Sequence, residues 1–218
     1  MDLGIDAYKP ADMPVYYINN NHGGMEQING QWYIFYHRHT NDSSFCRQGC
    51  IEPITILEDG TIPQVEVTSA GAGRTLIGKG EYPSYIACNL FRQTEETVSV
   101  RPGHWIDSPL PRITQEGRDG DENPGYIENL KNGAIAGFKY FDCKDIRKIT
   151  VTVRGHGEGG RMDVSLAWDG QPCGSIPVGK SNEWKQYSAE IVIPDGVHAL
   201  YFTYVGGGEI SFASFTLE

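Results

Sequence analysis

Residues 20–40 read NNHGGMEQINGQWYIFYHRHT, and this stretch decides how the first third of the chain folds. Asn29-Gly30 lies between Gly24–Ile28 and Gln31–His37, and Asn-Gly is the strongest short hairpin signal because both residues tolerate positive φ. In the second arm Trp32, Ile34 and Tyr36 face one way while Tyr33, Phe35 and His37 face the other. Both faces are bulky, so the strand expects cover on both sides. A second pair is expected from Ile51–Leu57 and Ile62–Val67 around Glu58-Asp59-Gly60-Thr61. Two hairpins make a four-stranded antiparallel unit. So small a sheet is marginal in water alone and needs a neighbour, either the rest of the chain or another copy, so self-association through the exposed sheet is an expectation.

Downstream, residues 68–80 form a connector rich in small residues, Glu81–Leu90 an apolar crossing segment, and Arg92–Pro111 an irregular stretch. Strand-sized runs follow at Tyr126–Leu130, Ala134–Phe141, Lys148–Val153, Met162–Trp168, Ser175–Val178, Gln186–Ile193, Ala199–Val205 and Ile210–Leu217. Asp169-Gly170, Pro194-Asp195-Gly196 and Gly206-Gly207-Gly208 separate some of them. Short strands at this spacing predict a β-sandwich of jelly-roll type. The fold class expected is all-β, in two parts, residues 1–76 and 77–218.

Composition agrees: 39% of residues are hydrophobic and 21% charged, with 27 Gly and 12 Pro, the profile of a cored domain with many turns. The net charge of −10 is spread along the chain without a Lys/Arg cluster. Such a surface repels phosphate backbones, which argues against nucleic acid as a partner. Apolar runs are strand-sized, so no membrane span is expected. Met1–Asp6 lacks the basic and apolar regions of a signal peptide, so the expected location is the cytoplasm, or outside the cell for a longer secreted parent. Cys46, Cys50, Cys88, Cys143 and Cys173 show no metal-ligand spacing and read as small buried residues.

Several motifs carry a family likeness. Asn21-His22-Gly23, Gly30-Gln31-Trp32-Tyr33, Phe35-Tyr36-His37-Arg38, Arg47-Gln48, and Asp59-Gly60 leading into Gln64-Val65-Glu66 resemble the final blade of a glycoside hydrolase family 43 β-propeller. Residues from about Tyr82 to Glu218 resemble the sandwich that often follows it, similar to a family 6 carbohydrate-binding module. The resemblance implies five-bladed enzymes that act on arabinose- or xylose-containing glycans with inversion, using an aspartate base, a glutamate acid and a second aspartate. Opposed carboxyl groups suit that chemistry, one protonating the leaving oxygen and the other activating water. Those residues come from earlier blades, and no segment here matches them, so no catalytic residue is assigned. The expectation is a C-terminal fragment of an arabinofuranosidase/xylosidase-type hydrolase, partnered by xylan- or arabinan-type oligosaccharides. A subunit completed by blades from another chain, and a structural module without sugar affinity, are the alternatives.

By the same resemblance, His22 matches a histidine near the propeller axis and Arg47 an arginine near the active-site carboxylates. Ordinary structural roles are the competing readings. Glu26 and Glu52 are a poor catalytic pair, because strand carboxylates beside a turn are usually solvated. In family 6 modules a tyrosine and a tryptophan from loops at one end of the sandwich grip the sugar ring. Tyr126 and Trp184 match their settings, with packing aromatics as the alternative. The usual asparagine before the last strand is absent, and Glu209 is the substitute acceptor. Trp168, Tyr201 and Phe202 read as core, and Trp105 as a junction cap. The acidic run 116–122 offers Glu116, Asp119 and Asp121 as ligands for a structural calcium, since hard cations take clustered carboxylates. A solvated turn is the alternative.

Overall fold

A computed structural model describes residues 22–41, 43–92, 99–101, 105–107, 110–118, 121–122, 124–155 and 157–218. The strands in chain order begin with β1 (Gly24–Ile28), β2 (Gln31–Thr40), β3 (Ser43–Ile54), β4 (Leu76–Ile77), β5 (Gly80–Pro83) and β6 (Asn89–Phe91). Then come β7 (Ser99–Arg101), β8 (Trp105–Asp107), β9 (Arg112–Thr114), β10 (Tyr126–Lys131), β11 (Ile135–Cys143) and β12 (Ile146–Gly155). The series ends with β13 (Gly159–Ser165), β14 (Gly174–Val178), β15 (Ser181–Ile193), β16 (Gly196–Gly207) and β17 (Glu209–Leu217). Among the described residues the only helix is a 3-10 turn at Ser84–Ile86, and no helix is long and apolar enough to cross a membrane.

The hairpin at Asn29-Gly30 forms as read, with φ of 51° and 82° at the two residues and Gly24 to Ile28 paired against Phe35 to Gln31. The second hairpin does not form. Ile51–Ile54 is the end of β3, already paired with Phe35 to Trp32, and Ile62–Val67 leaves the sheet. Its turn closes, with Gly60 at φ 83° and Leu57 N–H bonded to the Thr61 carbonyl at 2.9 Å. The outgoing arm is held elsewhere. Glu66 accepts from Lys139 Nζ at 2.8 Å and Tyr140 OH at 2.9 Å, while Thr68 donates its N–H and hydroxyl to Glu52 at 2.7 and 2.8 Å. The first sheet instead has five strands, in the order β1-β2-β3-β8-β7. Its last two come from the stretch expected to be irregular.

Two six-stranded sheets make the sandwich, as expected. One runs β15-β12-β17-β10-β9 with β5 beside β17; the other runs β14-β13-β16-β11-β4 with β6 beside β11. Alternation explains their packing: Ile149, Val151 and Val153 on β12 are buried, as a strand with one covered face requires. Between the sheets Phe138, Phe202 and Phe215 meet with ring centroids 4.8–5.5 Å apart, and Phe141 and Phe212 flank them. Edge and tilted contacts of this kind add to simple area burial.

The first sheet docks on the sandwich through a buried cation. Arg38, 6% exposed, donates to the Ala87 carbonyl, to the Tyr85 carbonyl at 2.6 Å and to Gln48 Oε1 at 2.6 Å. Gln48 in turn donates to Tyr85 O at 3.2 Å. Asn41 donates its N–H to Ile113 O at 2.8 Å and accepts from Thr114 Oγ1 at 2.8 Å. A buried charge needs such saturation to be tolerated. The opposite border stays open: every residue of β1 is exposed, among them Met25 and Ile28.

Candidate functional site: an aromatic cleft on a sheet face

Tyr126 opens β10 and Trp184 lies in β15, 58 residues later in sequence. The fold brings their rings to 5.2 Å between centroids, edge to face at 73°. Local backbone irregularity aims them. The β12–β15 register slips between Val153 and Gly155, and the β12–β17 register slips between Thr152 and Val153. Bulges of this kind re-aim side chains, and Arg154 and Trp184 sit where the two slips converge. On the other side, Gly125 precedes Tyr126. A Cβ at Gly125 would stand 3.2 Å from both the Thr114 carbonyl and the Tyr85 ring, so glycine lets β10 start close to β9.

Arg154 joins the two rings. Its guanidinium carbon is 4.5 Å from the Trp184 ring centroid and 5.4 Å from that of Tyr126, within cation–π range. It donates to Glu116 Oε1 at 2.7 Å and to the Tyr126 hydroxyl at 3.3 Å. Burial holds the Tyr126 phenol above its ordinary pKa, so it stays protonated and polar rather than charged. The pair borders a cavity of about 610 Å³ lined also by Glu81, Pro83, Thr152 and Ser214. Ser214 Oγ bonds Thr152 Oγ1 at 3.1 Å and Glu81 Oε1 at 2.9 Å, giving a floor of hydroxyls and a carboxylate beneath an aromatic wall. An apolar ring face with convergent polar groups is what pyranose or furanose recognition needs.

This cleft lies on the outer face of the β15-β12-β17-β10-β9 sheet rather than in the loops at one end. Arg154, Thr152, Ser214 and Glu81 escape sequence reasoning because each looks like any solvent-facing strand residue. Glu209 is not part of it. It pairs with Lys131 at the far end of β10, beyond the bulge that holds Asn129 at φ 61°, and does not line the cavity.

The acidic run is divided. Glu116 is engaged by Arg154, Asp121 accepts the Arg118 N–H at 2.7 Å, and Asp119 lies outside the described residues. Among the described residues no group of three or more His, Cys, Asp or Glu side chains could hold a metal.

On the first sheet, His22 is exposed with its ring 4.6 Å from that of His37. Asn20 and Asn21, which precede it, lie outside the described residues, as does His104. Arg47 stands opposite His39 in the β2–β3 ladder and borders a second cavity, at the junction with the sandwich. Glu26 and Glu52 form no pair: Met25, Ile34 and Glu52 share one row across β1, β2 and β3, so neighbouring Glu26 faces the other side of the sheet. Glu52 is 2% exposed, and burial, opposed by the bonds from Thr68 and Tyr36, pushes its carboxyl up to about 7. Phe91 and Tyr201 stack edge-on against Trp168 at 5.1 and 5.8 Å, which gives Trp168 a packing role.

Residues 112–218 match the family Carbohydrate binding module (family 6). Over 217 residues, 99% of the chain, the sequence is 58% identical to a protein of Thermoclostridium stercorarium named "Xylosidase/arabinosidase", and it spans 46% of that protein's length. A glycoside hydrolase family 43 arabinoxylan arabinofuranohydrolase from Bacillus subtilis, solved with cellotetraose, superposes with a TM-score of 0.59 at 19% identity. That match covers 91% of this chain and 41% of the other. A family 6 module dissected for its binding subsites gives a TM-score of 0.50 at 14% identity over 67% of this chain and 98% of its own. At these identities the two structures speak for the fold alone. The likeness drawn from the sequence, a family 43 enzyme's C-terminal part followed by a family 6 sandwich, is borne out.

Proposed function

From the family 6 carbohydrate-binding domain at residues 112–218, we propose that this chain binds neutral plant-polysaccharide chains of the xylan or arabinan type in the Tyr126–Trp184 cleft. The observation that carries the reading is the pairing of Tyr126 and Trp184 at 5.2 Å over the Thr152–Ser214–Glu81 floor. Trp184 offers an apolar surface to the sugar's C–H face, and the floor exchanges hydrogen bonds with its hydroxyls. Arg154, braced by Glu116, fixes the Trp184 ring before the sugar arrives, which lowers the ordering cost of binding. Glu81 and Glu116 at the cavity edge disfavour uronate-bearing chains and leave neutral pentose glycans as the better fit.

Calorimetric titration of the purified chain with xylo- and arabino-oligosaccharides tests this. Binding in the micromolar to millimolar range, roughly −8 to −4 kcal/mol, is expected for the wild type and is lost in Trp184→Ala. Silence with every sugar refutes it and leaves the sandwich as a brace for the first sheet.

A second reading follows from the identity of 58% to a xylosidase/arabinosidase of which this chain spans 46%. The chain is then one part of a glycosidase, without catalytic carboxylates of its own, and is active when further blades cover β1. Exposed Met25 and Ile28 give that border something to bury, against such blades or against a second copy. Hydrolysis of an aryl arabinofuranoside or xyloside appearing only when the missing part is added supports this reading. Hydrolysis by the pure chain would overturn the absence of catalytic groups.

A further inference from the structure

We propose that the cavity between the first sheet and the sandwich is a second sugar subsite, one that takes the continuation of the neutral glycan chain held at Trp184. The inference rests on the reading of the aromatic cleft given above. The junction cavity encloses about 450 Å³ and draws Arg47 and Asn41 from the first sheet, and Tyr85, Asp121 and Glu122 from the sandwich. It is not isolated from the cleft. Pro124 and Gly125 line both, and the consecutive residues Gln115 and Glu116 line one each. The two cavities therefore adjoin across a short piece of backbone that carries no side chain at residue 125.

The junction has the chemistry of a hydroxyl-rich ligand. Asn41 and Gln48 are already committed to Thr114, Arg38 and Tyr85 and form fixed walls. Arg47 is exposed, with a 3.3 Å bond to the Phe45 carbonyl of its own strand, and its guanidinium presents several donors in a fixed fork. Asp121 and Glu122 are exposed acceptors. Tyr85, Ile113 and Pro124 supply apolar surface between them. Donors, acceptors and a partly apolar wall suit a neutral sugar unit. The carboxylates of Glu116, Asp121 and Glu122 repel a uronate, and a metal lacks a ligand cluster among the described residues.

An occupant shared between the two cavities makes affinity depend on chain length. The test is calorimetric titration of the full chain with xylobiose and xylohexaose, and with the matching arabino-oligosaccharides. The wild type is expected to bind the hexasaccharide at least roughly tenfold more tightly than the disaccharide, beyond the few-fold gain that several equivalent binding registers give a longer chain. Arg47→Ala and the double variant Asp121→Asn/Glu122→Gln, all surface changes, are expected to reduce that ratio several-fold. Trp184→Ala is expected to remove binding of both lengths. Equal affinity for both lengths in the wild type, or a ratio unchanged by the Arg47 and Asp121/Glu122 variants, overturns the second subsite while leaving the aromatic cleft intact. No binding of either sugar by the wild type overturns both.

Discussion

Replacing Glu52 by glutamine removes a buried charge and keeps the side chain's shape, and the consequence is readable as a pH profile. Burial lifts this carboxyl from 4.5 to about 7. Between those values the unfolded chain has lost the proton that the folded chain keeps, so folding stability falls as pH rises through that window and is level above it. One unit of displacement corresponds to about 1.4 kcal/mol, so the wild type should lose about 2–3 kcal/mol between pH 5 and pH 8 from this group. For a chain of this size that is roughly 4–12 °C in Tm. The neighbouring Cys50 thiol is itself pushed upward by burial and stays protonated throughout. The assay is thermal unfolding of wild type and Glu52→Gln across this range. Every other titrating group is common to the two proteins, so their difference isolates Glu52. The variant should gain on the wild type as pH rises. Parallel Tm curves for the two proteins would refute the argument.

Three further substitutions probe other parts of the molecule. Arg38→Met strips the docking bonds to the Ala87 and Tyr85 carbonyls and leaves buried acceptors unpaired, at a cost of about 2–4 kcal/mol. Limited proteolysis should then cut between the first sheet and the sandwich. Gly78→Ala places a Cβ 2.3 Å from the Asp142 carbonyl and 2.5 Å from Cys143 Cα. Because the clash is with backbone, β4 must leave β11, costing about 1–3 kcal/mol in a denaturant titration. Arg154→Ala unpins Trp184 and releases Glu116; sugar affinity should drop roughly three- to tenfold, or about 0.7–1.4 kcal/mol, with altered tryptophan fluorescence, and unchanged affinity would count against a bracing role.

The sandwich was legible because its signals are local. Thr150–Val153 alternates, glycine-rich turns separate several strands, and Asn29-Gly30 specifies its own hairpin; the alternation of Val164–Trp168 runs past the strand, since β13 ends at Ser165. The second hairpin was misread for the opposite reason. Ile62–Val67 has the pattern of a strand, but Glu66 finds Lys139, and Thr68 finds Glu52, partners far away in sequence that no window of residues reveals. β3 was read too short because Ser43–Gly49 mixes cysteine, arginine, glutamine and glycine, with Phe45 turned outward, and shows no apolar alternation. At the site, Tyr126 and Trp184 were paired by likeness to a family, not by spacing. Glu209 stands away from that pair because β17 sets it opposite Lys131, a placement that depends on the β10–β17 register and its slip between Ile127 and Leu130.

The position of β17 between β12 and β10 governs how this molecule is made. During synthesis β10 and β12 leave the ribosome with the gap between them unfilled. At about 5–20 residues per second, the roughly ninety residues from β10 to the end of β17 take several seconds or more to appear. Until Glu209–Leu217 is inserted, Phe212 and Phe215 are missing from the aromatic core, and the inner edges of β10 and β12 stand unpaired. Such edges recruit other chains, so the nascent protein is most prone to aggregate just before β17 arrives. Completion is then a single late event that closes the core and the floor of the cleft together, because Ser214 belongs to the same strand. A chain shortened within β17 should be insoluble rather than merely weakened in sugar binding.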